Sequence, residues 1–262
     1  DALDFSFFAT REYCSEETDG EDFKKYFMGV RAFAESKGLV FNQAHATEPS
    51  SRPDEKVTEG IFWDIVRSMR NASYLGIPII VVHPVQHLDY YKEGNPELLF
   101  EMNVEFYNRL LPYAKEYGIR VAVENMWQMP GGNKISHSTC SRPEEFIRYV
   151  DALDKDWFCA CLDIGHTTLV CEDPAAFIRA LGKDRLAALH VHDVDGIADL
   201  HTLPYQGITN WDTVAAALSE IGYTGDFTYE AEGFIKRTPP ELYASAARFM
   251  ADTGKHIINK IK

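Results

Sequence analysis

No stretch of the 262-residue sequence reaches the ~18 to 20 consecutive apolar residues of a membrane-spanning helix, and no signal-peptide pattern opens it. A soluble, cytoplasmic protein is the expectation. Basic residues are in short supply: 26 Lys and Arg stand against 40 Asp and Glu, a formal charge of −14. That balance repels nucleic-acid phosphates unless a basic groove is locally concentrated, and no basic run is present. The five cysteines (Cys14, Cys140, Cys159, Cys161, Cys171) contain no C-x-x-C pair, which removes the zinc-ribbon and thioredoxin-type readings and leaves free, mostly buried thiols. A Gly-rich phosphate nest beside Lys or Arg is also missing, so nothing marks a phosphorylated substrate. Low-complexity segments, linkers and repeats beyond the βα unit are absent, and one domain over 1–262 is the default for this length.

What is present is alternation. Short β-rich apolar runs at 2–8, 39–44, 77–82, 120–123, 158–162, 186–189 and 226–229 are separated by segments of helical period at 22–36, 60–74, 96–117, 142–153, 173–181, 210–221 and 240–258. This is the signature of βαβ units around a parallel sheet, and the length suits a single (β/α) barrel. Phe23, Phe27, Val30 and Phe33 share one helical face, which is expected to be core. Seven strands are one short of a closed eight-stranded barrel. A first strand and helix preceding Asp1 is the expectation, and a seven-stranded barrel the alternative.

In a parallel barrel, chemistry sits where each strand ends and its loop begins. Read at those positions, six consecutive strands end in His45, His83, Glu124, Asp163, His190 and Glu230. His, Asp and Glu are common enough that three candidate positions per strand give roughly one chance in two per strand, and about one in a hundred for six. Each donor also closes an apolar run, where an unpaired charge is costly. Glu124, Asp163, His190 and Glu230 offer mixed oxygen and nitrogen ligation suited to Mn²⁺, Zn²⁺, Co²⁺ or Mg²⁺. His166, one helical turn past Asp163, and the Asp-x-His pair Asp199 and His201 lie within loop reach, and with His45 and His83 they make a second ion a candidate.

These residues resemble the xylose isomerase-like barrels, a family that includes sugar isomerases and epimerases, inosose dehydratases and endonuclease IV. The resemblance runs from Ala2 to about Ile258 and is carried most specifically by Val-Glu-Asn at 123–125, Leu-Asp-Ile-Gly-His at 162–166, His-Val-His-Asp at 190–193 and the stretch 199–211. It implies a TIM barrel of xylose isomerase type and a metal site at Glu124, Asp163, His190 and Glu230, with the two glutamates exchanging a proton on opposite faces of a substrate. The nine-ligand, three-zinc set of endonuclease IV resembles His45, His83, Glu124, Asp163, His166, His190, Asp199, His201 and Glu230. Two departures stand out. The Arg that ketose 3-epimerases carry shortly after the strand-seven His corresponds to Gly196, and DNA-gripping basic loops are lacking.

The expected function is a metal-dependent isomerase or epimerase of a small polyhydroxylated keto sugar or its phosphate. Proton abstraction would give an enediolate, with Glu124, Glu230 and His166 catalytic and His45, His83, Trp127 and His166 around the substrate. The alternatives are a metal-dependent dehydratase or lyase of a sugar or inositol derivative, and a zinc phosphodiesterase like endonuclease IV. The expected partner is a small sugar-like molecule, and a homo-oligomer is compatible with the sequence. His192 is read as lying on the other face of the strand from His190, as a packed or supporting residue. Asp193 is read as a loop cap or an orienting group, and His87 as a solvated loop residue. Glu230 is preferred over Glu232 because it directly ends the apolar run.

Overall fold

The computed structural model describes residues 2–8, 11–14, 19–132 and 134–261. In chain order its main elements are β1 (Ala2–Ser6), α1 (Glu21–Ser36), β2 (Val40–His45), α2 (Glu55–Leu75), β3 (Ile79–Val82), α3 (Asn95–Tyr117), β4 (Arg120–Glu124), β5 (Trp127–Gln128), β6 (Ser136–His137), α4 (Pro143–Asp151), β7 (Phe158–Asp163), α5 (Ile164–Leu169), α6 (Pro174–Arg185), β8 (Leu186–His190), α7 (Trp211–Glu220), α8 (Glu232–Lys236) and α9 (Tyr243–Ile258). Internal packing divides the chain into two units, Asp1–Glu124 with Arg148–Cys159, and Asn125–Ile147 with Ala160–Lys262.

In the first unit β1, β2, β3 and β4 pair in sequence order, all parallel. Each crossover is a helix with an apolar stripe. On α2, Ile61, Ile65 and Met69 recur at intervals of four and are buried. Asp54 starts that helix by accepting a hydrogen bond from the Val57 amide, and Gly76, at φ 76°, ends it in the left-handed conformation that glycine tolerates. The helix thus begins at Glu55, five residues before the position that periodicity suggests. Tyr107 on α3 donates its hydroxyl hydrogen to the Val82 carbonyl (2.8 Å), and the buried Asn103 amide is bonded to both the N–H and C=O of Val85. The loop leaving β3 is therefore tied to the helix that follows. Phe33 departs from the expected core stripe: Phe27 is fully buried but Phe33 is 67% exposed, because six residues on it lies about 120° from Phe27 around the helix.

In the second unit β7 and β8 pair in parallel from Ala160 onward, and α6 packs on α7. All six residues of β7 are buried, as expected of a strand covered on both faces. The expected strand at 226–229 shrinks to a single bridge. Val191 donates to the Thr228 carbonyl and Glu230 to that of Val191, which still sets Glu230 beside the end of β8. The hairpin of β5 and β6 and the short helices α5 and α8 lie below the length at which periodicity is readable.

Residues 193–210 form a loop braced at its root. Asp193 is fully buried, and its carboxylate accepts from the Val194 and Thr209 amides and from the Trp211 indole N–H (2.9 Å). Its backbone pairs with Thr202 in both directions. Gly207 must lack a side chain, since a Cβ there would lie 2.2 Å from the Val194 carbonyl oxygen. Asp193 is thus a loop brace. Replacing it with Ala abandons three donors, two of them buried, at roughly 1–3 kcal/mol for each buried one, so Asp193→Ala should lower stability by about 2 kcal/mol or more in urea unfolding. A loss below about 1 kcal/mol would contradict the brace. Four of the five cysteines are buried and Cys171 is exposed. Burial also pushes the Cys14 and Cys159 thiols up to about 11, so one thiol per native chain should react with an aromatic disulfide reagent and all five after denaturation.

Candidate metal centre

Strand register assembles the donors of the first unit. His45 lies opposite Val81, and Val82 opposite Val123, so His45, His83 and Glu124 leave adjacent strands side by side. All three are buried. His45 Nδ1 donates to the Ala46 carbonyl (2.7 Å), which leaves Nε2 3.0 Å from His83 Nε2 and 3.6 Å from Glu124 Oε2. His83 stands between two carboxylates, its Nε2 3.1 Å from Glu124 and its Nδ1 3.0 Å from Glu48. Burial opposes a charge on His83, but the two carboxylates outweigh it and hold its pKa up to about 10. In turn the His83 hydrogen bond, against burial, keeps Glu48 below the usual carboxylate range. Sequence reasoning missed Glu48, which sits in a loop and carries no periodic signal. His87 hydrogen-bonds Ser51 Oγ (2.7 Å) and stands outside this group, consistent with a plain loop residue.

The second unit holds two groups of donors. Asp163 ends β7 opposite His190 in register. One carboxylate oxygen of Asp163 caps α5 by accepting from the His166 amide (2.6 Å), and the other lies 3.0 Å from His192 Nε2 and 3.9 Å from His190 Nδ1. His190 Nδ1 is 3.1 Å from Glu230 Oε2. Asn125 locks this end of β7 by exchanging hydrogen bonds with the Asp163 backbone in both directions.

The second group is His166, His192, Asp199 and His201, each offering a ligand atom within 4.8 Å of the others. Asp199 Oδ2 lies 3.3 Å from His166 Nε2 and 3.1 Å from His201 Nε2, and accepts from the Trp127 indole N–H (3.1 Å). Burial alone would raise Asp199, yet His166, His201 and His192 drive its pKa far below the usual carboxylate range. His201 is held up to about 12 by Asp199 and Glu232, against burial. Glu232, the alternative to Glu230, is placed 3.2 Å from His201 Nδ1 rather than at His190. His192 does not lie on the face opposite His190: residues two apart in extended chain share a face, and both rings are turned toward Asp163, His192 as a fully buried neighbour bonded to its carboxylate.

These residues fit a divalent cation on their chemistry. His45, His166 and His201 each commit Nδ1 to a backbone carbonyl, those of Ala46, Asn125 and Glu230 respectively. That fixes the tautomer and presents Nε2, as in metal-binding histidines. Asp199 Oδ1 is buried with no hydrogen-bond partner among the described residues, an expensive condition that a cation relieves.

The family model for the xylose isomerase-like TIM barrel matches residues 5–253. A sequence relative, an uncharacterized protein of Methanocaldococcus jannaschii, is 28% identical over 208 residues, covering 79% of this chain and 68% of that one. The crystal structure of a D-tagatose 3-epimerase-like protein superposes with a TM-score of 0.76 at 22% identity, covering 100% of this chain and 91% of that one. An IolI protein bound to a zinc atom gives a TM-score of 0.76 at 18% identity, covering 100% and 89%. By strand-and-helix order, parallel pairing and family match, this chain belongs to the xylose isomerase-like TIM barrel family.

Proposed function

We propose that this protein is a metal-dependent isomerase or epimerase of a small polyhydroxylated keto sugar. The observation that carries this reading is the placement of Asp163, His190 and Glu230 at neighbouring strand ends, with His190 Nδ1 3.1 Å from the Glu230 carboxylate. Similarity to a D-tagatose 3-epimerase-like protein and to a zinc-bound IolI protein supports it. A divalent cation, Mn²⁺, Zn²⁺, Co²⁺ or Mg²⁺, would be held by Asp163, His190 and Glu230, and would supply polarisation of a substrate carbonyl that acidifies the neighbouring C–H. Glu230 and Glu124 are the two carboxylates assigned to move that proton, one removing it to give an enediolate and the other returning it. His83 and His45 orient Glu124 at 3.1 and 3.6 Å. Trp127, fixed by its bond to Asp199, offers a flat apolar face for sugar C–H groups, and His166 a polar edge beside it.

A second reading, a phosphodiesterase like endonuclease IV, is favoured by the two further donor groups, His45 with Glu48 and His83, and His166 with His192, Asp199 and His201. The charge of −14 weighs against a DNA substrate. In D₂O with added Mn²⁺, the wild-type protein should wash deuterium into a ketose at the carbon next to the carbonyl. Glu124→Gln and Glu230→Gln, both nearly isosteric, should each lower that exchange by about 10² to 10⁴-fold with native circular dichroism. Wild-type exchange in Glu124→Gln would remove that residue from the mechanism. Cleavage of abasic DNA without ketose exchange would favour the second reading.

A further inference from the structure

We propose that Glu48 determines specificity: its carboxylate accepts hydroxyl hydrogens from the substrate's polyol chain, so the substrate is an uncharged ketose and not a sugar phosphate or sugar acid. The inference rests on the isomerase or epimerase reading and narrows it to a substrate class. Glu48 stands apart from the two glutamates assigned to move the proton and from the residues assigned to hold the cation.

Placement is the opening argument. β2, β3 and β4 run parallel, so the loop after His45 opens on the same side as His83 and Glu124. That loop is pinned on both sides of Glu48. The Ala46 amide donates to the Val81 carbonyl (2.9 Å), and the Ser50 hydroxyl donates to the His83 carbonyl. Thr47, Ser50 and Ser51 are buried, whereas the Glu48 side chain stays 36% exposed, against 10% for His83 and 1% for Glu124. Glu48 is therefore the member of this group most open to a solute.

Charge supplies the reason for a carboxylate there. His83 already has Glu124 3.1 Å from its Nε2, so Glu48, 3.0 Å from Nδ1, is surplus to balancing one imidazole. Among the described residues no Lys or Arg pairs with Glu48 or His83. A carboxylate has acceptor sites on both oxygens and no donor. One contact with His83 leaves it room to accept from sugar hydroxyls, and its charge repels a phosphate or a second carboxylate.

Reach agrees with this role. Glu48, His45 and His83 offer polar atoms within 4.8 Å of one another, and His45 Nε2 is 3.6 Å from Glu124. The carbon chain of a ketose covers such a gap, with the reacting C–H at Glu124 and a hydroxyl farther along at Glu48. A carboxylate that only neutralised His83 would be indifferent to that far end of the substrate.

The test compares ketohexoses with their 6-phosphates as probes on the full chain, by deuterium exchange in D₂O with added Mn²⁺. The wild type should favour the unphosphorylated sugar by at least about 10²-fold in kcat/KM. Glu48→Gln, nearly isosteric, should raise KM for that sugar at least about tenfold with a far smaller change in kcat, and cut the preference over the phosphate at least about tenfold. Glu48→Asp keeps the charge and should still reject the phosphate. Circular dichroism checks that each variant is natively folded, and saturation-transfer NMR reads sugar binding apart from turnover. Equal use of sugar and phosphate by the wild type overturns the proposal, as does an unchanged KM in Glu48→Gln or a fall in kcat alone. Sugar binding that weakens in Glu48→Gln, with no exchange even in the wild type, would sink the proposed activity and leave this subsite standing. Exchange with KM unmoved by the substitution would do the reverse, and no binding of any ketohexose would remove both.

Discussion

The register pair of Asp163 and His190, set by parallel pairing of β7 with β8, is the constraint on which the rest of the site depends. Parallel strands send their carboxyl ends the same way, so a carboxylate ending one and an imidazole ending the next are neighbours by backbone geometry alone. Asn125 fastens the Asp163 backbone from both sides, and the Asp163 carboxylate caps α5, so His166 is positioned by the same residue. A single side chain therefore ends a strand, starts a helix and reaches both His190 and His192.

Burying this many ionisable groups is tolerable because none stands alone. In the first unit His83 is clamped by Glu48 and Glu124, and in the second His201 by Asp199 and Glu232. The opposed pKa displacements of His201 and Asp199 are two sides of one interaction: each keeps the other charged where solvent is scarce. Breaking such a pair by removing one partner leaves an uncompensated buried charge, a larger loss than the pair's net worth. The donor groups are thus conditionally stable, held by their own complementarity or by a cation.

Much of this was legible in the sequence because strand ends are marked by where apolar β-runs stop. His45, His83, Glu124, Asp163, His190 and Glu230 all stand at or one residue past a strand end or bridge. Glu48 and Glu232 were not chosen, since one sits in a loop ahead of Pro49 and the other opens a five-residue helix, where no period exists to read. The face of His192 was misjudged for a different reason: two residues on from His190 it shares that residue's side of the chain, while its supporting role agrees with its burial against Asp163. Phe33 shows the same limit on a helix, since a stripe wide enough to look continuous in sequence covers more than the face that α1 turns inward.

The brace around Asp193 bears on how far the 193–210 loop can rearrange. A segment pinned at its root by a buried carboxylate, a two-way backbone bond to Thr202 and an obligatory glycine has little freedom to resize the space its donors enclose. Any change of partner by Asp199 or His201 therefore falls to side-chain rotation, because the backbone that carries them is held at the root of the loop.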